Sequence, residues 1–454
     1  MTYIDALTYL GNTRRFGMKL GLDPMRELAR ALGNPQDSLR FIHIAGTNGK
    51  GSTAAFCESC LRASRFRVGL YTSPHLVSVR ERIQIDRVSI SEVDFAQGMA
   101  LVRETLEAQE NEATFFELMT ALALWYFARE KVDWVVWETG LGGRLDATNI
   151  VRPEVCIITN IGLDHQQYLG GTLVEIAAEK AGIIKPGVPV ISAVEPGEGA
   201  ECICDHAKSA RCTLTLVHRD MQVKDLGLRV AKQTAQIDGQ AYDLGLIGTH
   251  QVFNAACAVE AMWQLRTNVI RSGREREELY AISDEAIARG LAATVWPGRF
   301  EILSEKPLIV LDGAHNAAGM KMLVETWRAF LNSRFRWGPD QIAACTHLVF
   351  AAVADKDISE MAQLLRPLLR EISFVRLANE RSADPVQLAQ SFSGLPYACY
   401  DSVSDVWPKL TSQPESIYLI TGSLFLVGEM LARRQPNTEE YRLNERLEKL
   451  TAFR

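Results

Sequence analysis

Short apolar and β-branched runs alternate with stretches of helical periodicity along the first half of the chain. Residues 40–45, 67–72, 133–138, 155–160 and 188–192 read as strands buried on both faces, because their apolar character is nearly unbroken. Phe115, Leu118, Met119, Leu122 and Tyr126 recur at helical spacing, as do Leu173, Ile176, Ala177 and Ala181, and both stripes are expected to face a core. Strands alternating with helices predict a parallel α/β domain. Over residues 214–246 the segments become shorter, more polar and alternating. Turn candidates at Asp225 to Gly227 and at Asp238-Gly239 there predict a small antiparallel β appendage.

The helical pattern stops near Trp296-Pro297-Gly298-Arg299, and a second alternating unit follows. It opens with strands near 301–304 and 308–312 and continues with a helix carrying Met320, Leu323, Trp327 and Phe330 on one face. Apolar runs at 348–352, 372–377 and 417–421 complete it. The expected division is residues 1–297 and 298–454, the second a smaller Rossmann-like α/β domain that ends in a charged helical tail of about twenty residues.

At 454 residues, with 47% hydrophobic and 23% charged positions, the chain exceeds one ordinary domain. Its formal net charge of -6 gives no electrostatic footprint for nucleic acid. The longest strongly apolar stretch, 118–128, is too short to span a bilayer, and Met1-Thr2-Tyr3-Ile4-Asp5 lacks the basic start and apolar run of a signal peptide. A cytoplasmic enzyme without a membrane partner is expected. Nine scattered cysteines argue against a disulfide framework. The Cys57/Cys60 pair has no second pair at zinc-ligand spacing and reads as helix packing.

The first candidate for chemistry is His43-Ile44-Ala45-Gly46-Thr47-Asn48-Gly49-Lys50-Gly51-Ser52-Thr53, which leaves a strand and opens a helix-forming stretch. Gly46, Gly49 and Gly51 allow a tight turn that aims backbone N–H groups at phosphate oxygens, and the next helix adds the positive end of its dipole. Lys50 can reach the terminal phosphates, and Ser52 or Thr53 offers a hydroxyl to magnesium. Only Thr47 and Asn48 separate Gly46 from Gly49-Lys50, fewer than in the common P-loop. An ordinary glycine turn is the alternative, although a lysine between two glycines at a strand-to-helix junction has little packing value.

Ligands of open α/β sheets bind beyond the carboxyl ends of the strands, so polar residues interrupting those ends are informative. Three such ends stand out: Tyr71-Thr72-Ser73-Pro74-His75-Leu76, the glycine-rich segment from Trp137 to Asp146, and Thr159-Asn160-Ile161-Gly162-Leu163-Asp164-His165. Ser73, Glu138 and His165 are candidates to converge on one cation near the phosphates, and oxygen ligands suit magnesium. Each has a structural alternative: Ser73 as a turn cap, Glu138 paired with an arginine, His165 as a hydrogen-bonded loop histidine. Their joint position beside a phosphate loop favours the cation.

These strings resemble the folylpolyglutamate synthase and dihydrofolate synthase family of the Mur ligase superfamily. The likeness rests on the phosphate loop, Thr72-Ser73-Pro74-His75-Leu76, the segment from Glu138 to Asn149, and Glu179-Lys180-Ala181-Gly182. It continues through His250-Gln251 with Asn254, Trp296-Pro297-Gly298-Arg299, Asp312-Gly313-Ala314-His315-Asn316, Asp355-Lys356-Asp357 and Thr421-Gly422-Ser423-Leu424, nearly the whole chain. The resemblance implies a P-loop-containing Mur-ligase central domain with the β appendage, and a C-terminal domain closing over ATP. The implied activity is an ATP-dependent ligase that joins L-glutamate to a folate or to dihydropteroate through an acyl phosphate.

By the same resemblance, Gly46, Thr47, Asn48, Gly49, Lys50, Gly51, Ser52, Asn254, Arg299 and Asp312 contact ATP. Lys50, His165 and Lys180 are the catalytic positions; Ser73, Glu138 and His165 hold magnesium, expected as two ions, with Lys180 contributing as a carbamate. Phe116 and Glu117 match the pteroate-binding segment, and His315 and Ser423 lie near the incoming glutamate. Alternatives remain for several: an exposed helix lysine at Lys180, an interdomain anchor at Arg299, helix caps at His315 and Ser423, core packing at Phe116. Thr139 departs from the pattern, placing a hydroxyl where relatives usually carry a small apolar residue. A monomer is the family's usual form. A cell-wall Mur ligase is expected to carry a further N-terminal domain, for which about forty residues before the loop leave too little chain. A P-loop switch or motor predicts ATP turnover without folate or glutamate.

Overall fold

The computed structural model describes residues 1–13, 21–109, 111–229, 232–271, 282–354, 356–379 and 381–433. Asp355 and the charged tail expected at the C-terminus lie outside the described residues. Eight strands form the large sheet: β1 (Phe41–Ala45), β2 (Val68–Tyr71), β3 (Ile83–Ile85), β4 (Val88–Ser89), β5 (Trp134–Glu138), β6 (Val155–Ile158), β7 (Val190–Ser192) and β8 (Leu214–Leu216). Their order is β4-β3-β2-β5-β1-β6-β7-β8. The strands from β2 to β8 run parallel, whereas β3 and β4 add an antiparallel edge that was too short to read in the sequence.

β1 is buried along its whole length, as its unbroken apolar run requires. It lies between β5 and β6, with Ile44 opposite Glu138 and Ala45 opposite Ile158. β2 flanks β5, with Tyr71 opposite Trp137. The register therefore sets all three polar strand ends beside the phosphate loop. One face of the sheet packs against the Lys50–Ala63, Thr249–Arg271 and Asp284–Ala293 helices through a core that includes Phe56, Leu61, Val252 and Leu291. Cys57 and Cys60 are buried and free in that core, as packing predicted. The opposite face packs Tyr71, Phe127 and Trp137 beneath the Glu92–Ala108 and Phe115–Arg129 helices. The apolar stretch at 118–128 belongs to the second of these, and no described helix is long and apolar enough to cross a membrane.

The antiparallel appendage comprises β9 (Val223–Arg229), β10 (Lys232–Ile237) and β11 (Gln240–Leu244), in the order β11-β10-β9. It starts later than expected, because residues 214–216 pair in parallel with β7 and close the large sheet. Asp238 and Gly239 form the two-residue hairpin turn, with φ of 44° and 86°. Asp225 to Gly227 is not a turn. β9 bulges there against Thr234 and Ala235, and the Gly227 N–H donates to Asp225 Oδ1 at 2.7 Å, a local bond that resembles turn chemistry in sequence.

The second sheet contains β12 (Glu301–Glu305), β13 (Leu308–Leu311), β14 (Thr346–Phe350), β15 (Glu371–Val375), β16 (Tyr397–Tyr400) and β17 (Ile417–Thr421), ordered β12-β13-β17-β14-β15-β16. All neighbours are parallel except β12 with β13. The Ala317–Phe335 helix buries Met320, Leu323, Trp327 and Phe330, the face expected from its periodicity.

Candidate active site

The site begins where β1 ends. Gly46 and Gly49 have φ of 153° and 85°, conformations that side chains disfavour. A Cβ would collide with Thr159 Oγ1 at Gly46, stand 2.6 Å from Asn254 Oδ1 at Gly49, and lie 2.9 Å from Trp296 Nε1 at Gly51. Residues after β6 hold the short loop in place. The Thr47 N–H donates to Asn160 O at 3.0 Å, the Asn48 N–H to Asn160 Oδ1 at 2.7 Å, and the Thr159 hydroxyl to Asn48 O at 2.6 Å. Gly49, the N-cap of the Lys50–Ala63 helix, offers no side-chain cap. The helix's first N–H groups and its dipole thus face the loop.

Two lysines meet at one carbonyl. Lys50 Nζ donates to Gly46 O at 3.0 Å and Thr47 O at 3.2 Å, and Lys180 Nζ donates to the same Gly46 O at 2.8 Å. Lys180 is buried rather than an exposed helix lysine. Desolvation, reinforced by Lys50, brings its pKa down to about 7. Its placement explains why two separate sequence strings are glycine-rich. A Cβ at Gly143 would stand 2.8 Å from Glu179 O, and the Arg144 N–H donates to Glu179 O at 2.7 Å. Asn149 Nδ2 then bridges Arg144 O and Gly182 O, both at 3.0 Å. The turn after Glu138 and the end of the Leu173–Ala181 helix are thereby one packed unit.

Glu138 is buried at the carboxyl end of β5, and Oε2 accepts the Ser73 N–H at 3.0 Å. Burial pushes its carboxyl pKa up to about 7, against the pull of Lys50, Arg299 and Arg82. Among the described residues no arginine forms an ion pair with it. His165 lies exposed in the cleft with φ of 52°, and its N–H donates to Asp164 Oδ1 at 2.9 Å. Partial desolvation lowers the imidazole pKa, with Lys356, Lys50 and Lys180 adding to the effect and Asp164 opposing it. The described residues contain no cluster of three His, Cys, Asp or Glu ready to hold a metal. What they offer instead is one buried carboxylate, the Ser73 hydroxyl and a neutral imidazole beside a phosphate loop. That donor set can hold magnesium, which completes its shell with waters and phosphate oxygens.

Across the cleft, Arg299 Nη1 donates to Gly298 O at 3.2 Å and packs on Gly313. Both Asp312 oxygens serve the backbone: Oδ2 accepts the Phe300 N–H at 2.9 Å and Oδ1 the Ala314 N–H at 2.8 Å. Asn254 Nδ2 donates to Gln251 Oε1 at 2.9 Å, within reach of the loop at Gly49. His315 bonds through Nδ1 to Gly313 O at 2.8 Å, and desolvation lowers its pKa to about 4. The cap of the Ala317–Phe335 helix is its neighbour Asn316. Ser423 does cap the Leu424–Ala432 helix, accepting the Phe425 N–H at 3.1 Å.

On the other side of β5, Phe116 is half-buried, 6.0 Å from the Tyr71 ring, and covers Gly140. Glu117 is committed to a capping box, with Oε2 accepting from the Thr114 N–H at 2.7 Å and its hydroxyl at 2.8 Å. The Thr139 hydroxyl is buried without a hydrogen-bond partner. Sequence reading assigned no role to Thr159, Asn160, Asp164, Asn316 or Lys356, although all five sit in strings it singled out.

A glycine-lysine loop at the carboxyl edge of a parallel sheet, faced by a second α/β unit, is a nucleotide-binding arrangement, and the family models give its class as Mur ligase. The Mur ligase middle domain model matches residues 44–262, and the model described as Mur ligase, glutamate ligase domain matches residues 298–424. The dihydrofolate synthase/folylpolyglutamate synthase of Bacillus subtilis is 36% identical over 444 residues, covering 95% of this chain and 99% of its own. E. coli FolC in complex with DHPP and ADP aligns with a TM-score of 0.82 at 30% identity, over 96% of this chain and 99% of that one. The folylpolyglutamate synthase of Thermotoga maritima aligns at 0.79 and 32% identity, over 97% and 99%. The chain belongs to the folylpolyglutamate synthase/dihydrofolate synthase family. It is an ATP-dependent ligase, and neither a cell-wall ligase nor a switch is favoured.

Proposed function

We propose that this protein joins L-glutamate to a reduced folate, to dihydropteroate, or to both, through an acyl phosphate. The observation that carries this reading is the convergence of Lys50 and Lys180 on Gly46 O at an uncapped helix N-terminus, with buried Glu138 at the adjoining strand end. A carboxylate is a poor electrophile. An oxygen of the acceptor carboxylate therefore attacks the γ-phosphorus of ATP, the bond to the β-phosphate oxygen breaks, and ADP leaves. The glutamate amine next attacks the acyl carbon; the tetrahedral oxyanion collapses, expels phosphate, and the nitrogen loses its proton. Lys50, the loop amides and Arg299 balance charge on the transferring group. Phe116 offers a ring face to the pterin, and His315 and Ser423 lie on the glutamate side.

Ser73, Glu138 and His165 fit magnesium, which when bound neutralises phosphate charge. We infer two such ions. Lys180 suits the carbamate role, because a pKa near 7 leaves free amine at neutral pH. Its nitrogen adds to carbon dioxide, a C=O π pair moves onto oxygen, and a proton is released. In this reading residues 1–297 carry ATP and the folate site, and residues 298–454 close over the nucleotide. The partners are small molecules, with no nucleic acid or membrane; the chain works as a cytoplasmic monomer. Phosphate release with ATP, magnesium and L-glutamate tests the reading, comparing dihydropteroate, tetrahydrofolate and no acceptor. Release that requires both acceptor and glutamate supports it; release indifferent to either overturns it.

A further inference from the structure

Asp164 touches both sides of the cleft. Its Oδ1 accepts the His165 N–H at 2.9 Å and Lys356 Nζ at 3.2 Å, while Oδ2 accepts Asn316 Nδ2 at 3.3 Å. Asp164 follows β6 in the large-sheet unit, whereas Asn316 and Lys356 belong to the unit built on the second sheet. Asn316 Oδ1 is held by the Gly319 N–H at 2.8 Å, which turns its amide nitrogen back across the cleft, 3.4 Å from Asn48 Oδ1 on the phosphate loop. The Lys356 and Asp164 side chains are only 18% and 14% exposed, so this is a sheltered pair rather than a surface one. His165 stands beside it in a left-handed conformation that a non-glycine residue holds only under restraint.

We propose that Asp164 is a positioning residue that passes the placement of the second domain to His165: Lys356 and Asn316 fix its carboxylate across the cleft, and that carboxylate fixes the His165 backbone. The inference rests on the ligase reading for its purpose, since closing the cleft would then bring the His165 side chain into register with the phosphates. Its geometry does not need that reading. Asn316 would tie the phosphate loop to the same event through Asn48.

Amide hydrogen exchange over residues 162–169 tests this in the full chain without substrates, using Lys356→Met, Lys356→Arg, Asp164→Asn and the Lys356→Met/Asp164→Asn double variant. Lys356→Met is expected to speed exchange at His165 to Leu169 about five-fold, although it alters the opposite domain. The double variant should be no faster than Asp164→Asn alone, and Lys356→Arg should restore slow exchange. Unchanged exchange in Lys356→Met, or additive effects in the double variant, would overturn the proposal. Failure of the ligase reading would appear separately, as a wild-type chain whose phosphate release ignores acceptor and glutamate.

Discussion

Replacing Glu138 by Gln is expected to stabilise the ligand-free protein above neutral pH while abolishing ligase activity. The carboxyl is buried and its pKa rises from 4.5 to about 7 on folding. Between those values the folded protein keeps a proton that the unfolded chain has released, so stability falls as pH rises through this window. Each tenfold in proton affinity corresponds to about 1.4 kcal/mol, and the penalty reaches about 3 kcal/mol once the folded carboxyl ionises above pH 7. At pH 5 it shrinks to under about 1 kcal/mol. Gln matches the shape, leaves an oxygen to accept the Ser73 N–H, and removes the charge. Urea unfolding of both proteins, with chelator and without nucleotide, should show the variant more stable by about 3 kcal/mol at pH 8, with most of the gain gone at pH 5. No gain at pH 8, or an equal gain at both, would mean that burial does not raise the Glu138 carboxyl pKa. A stabilised yet inactive variant would mean that the buried charge is kept for chemistry.

Three further substitutions have separable outcomes. Gly49→Ala forces a side chain into φ of 85° and against Asn254 Oδ1, and calorimetry should find ADP affinity reduced more than about ten-fold. Phe116→Ala should raise KM for the pterin acceptor in steady-state assays while leaving ADP affinity unchanged, since the ring packs at Tyr71 and Gly140. Thr139→Val replaces a buried, unpartnered hydroxyl with a methyl group and should raise stability by about 1 kcal/mol in thermal unfolding.

The elements legible in the sequence were those whose burial is complete. β1 and β5, buried at every position, announced themselves by unbroken apolar runs, and the glycine spacing beside them announced the phosphate loop. β8 was misread because Leu214-Thr215-Leu216 alternates like an exposed strand, being half-buried at the sheet edge. β16 went unseen for the same reason. Bonds made within a few residues were partly visible: helix capping is an alternative for Ser423 in the sequence, whereas Glu117, which the resemblance gives to the pteroate segment, is held in a capping box with Thr114. Asp164 and Lys356 stand 192 residues apart, and a contact at that range leaves no periodicity to read. Their strings were conspicuous, but the partnership follows only from the way the two sheets face one another.

In the proposed reaction the acceptor carboxylate, not water, takes the γ-phosphoryl group. Running the reaction with acceptor labelled with oxygen-18 in its carboxylate tests this directly by mass analysis of the released phosphate. One labelled oxygen is expected in each phosphate, formed together with one glutamyl addition. Unlabelled phosphate would mean that water attacks ATP, and would contradict the acyl-phosphate ligase assigned to this site.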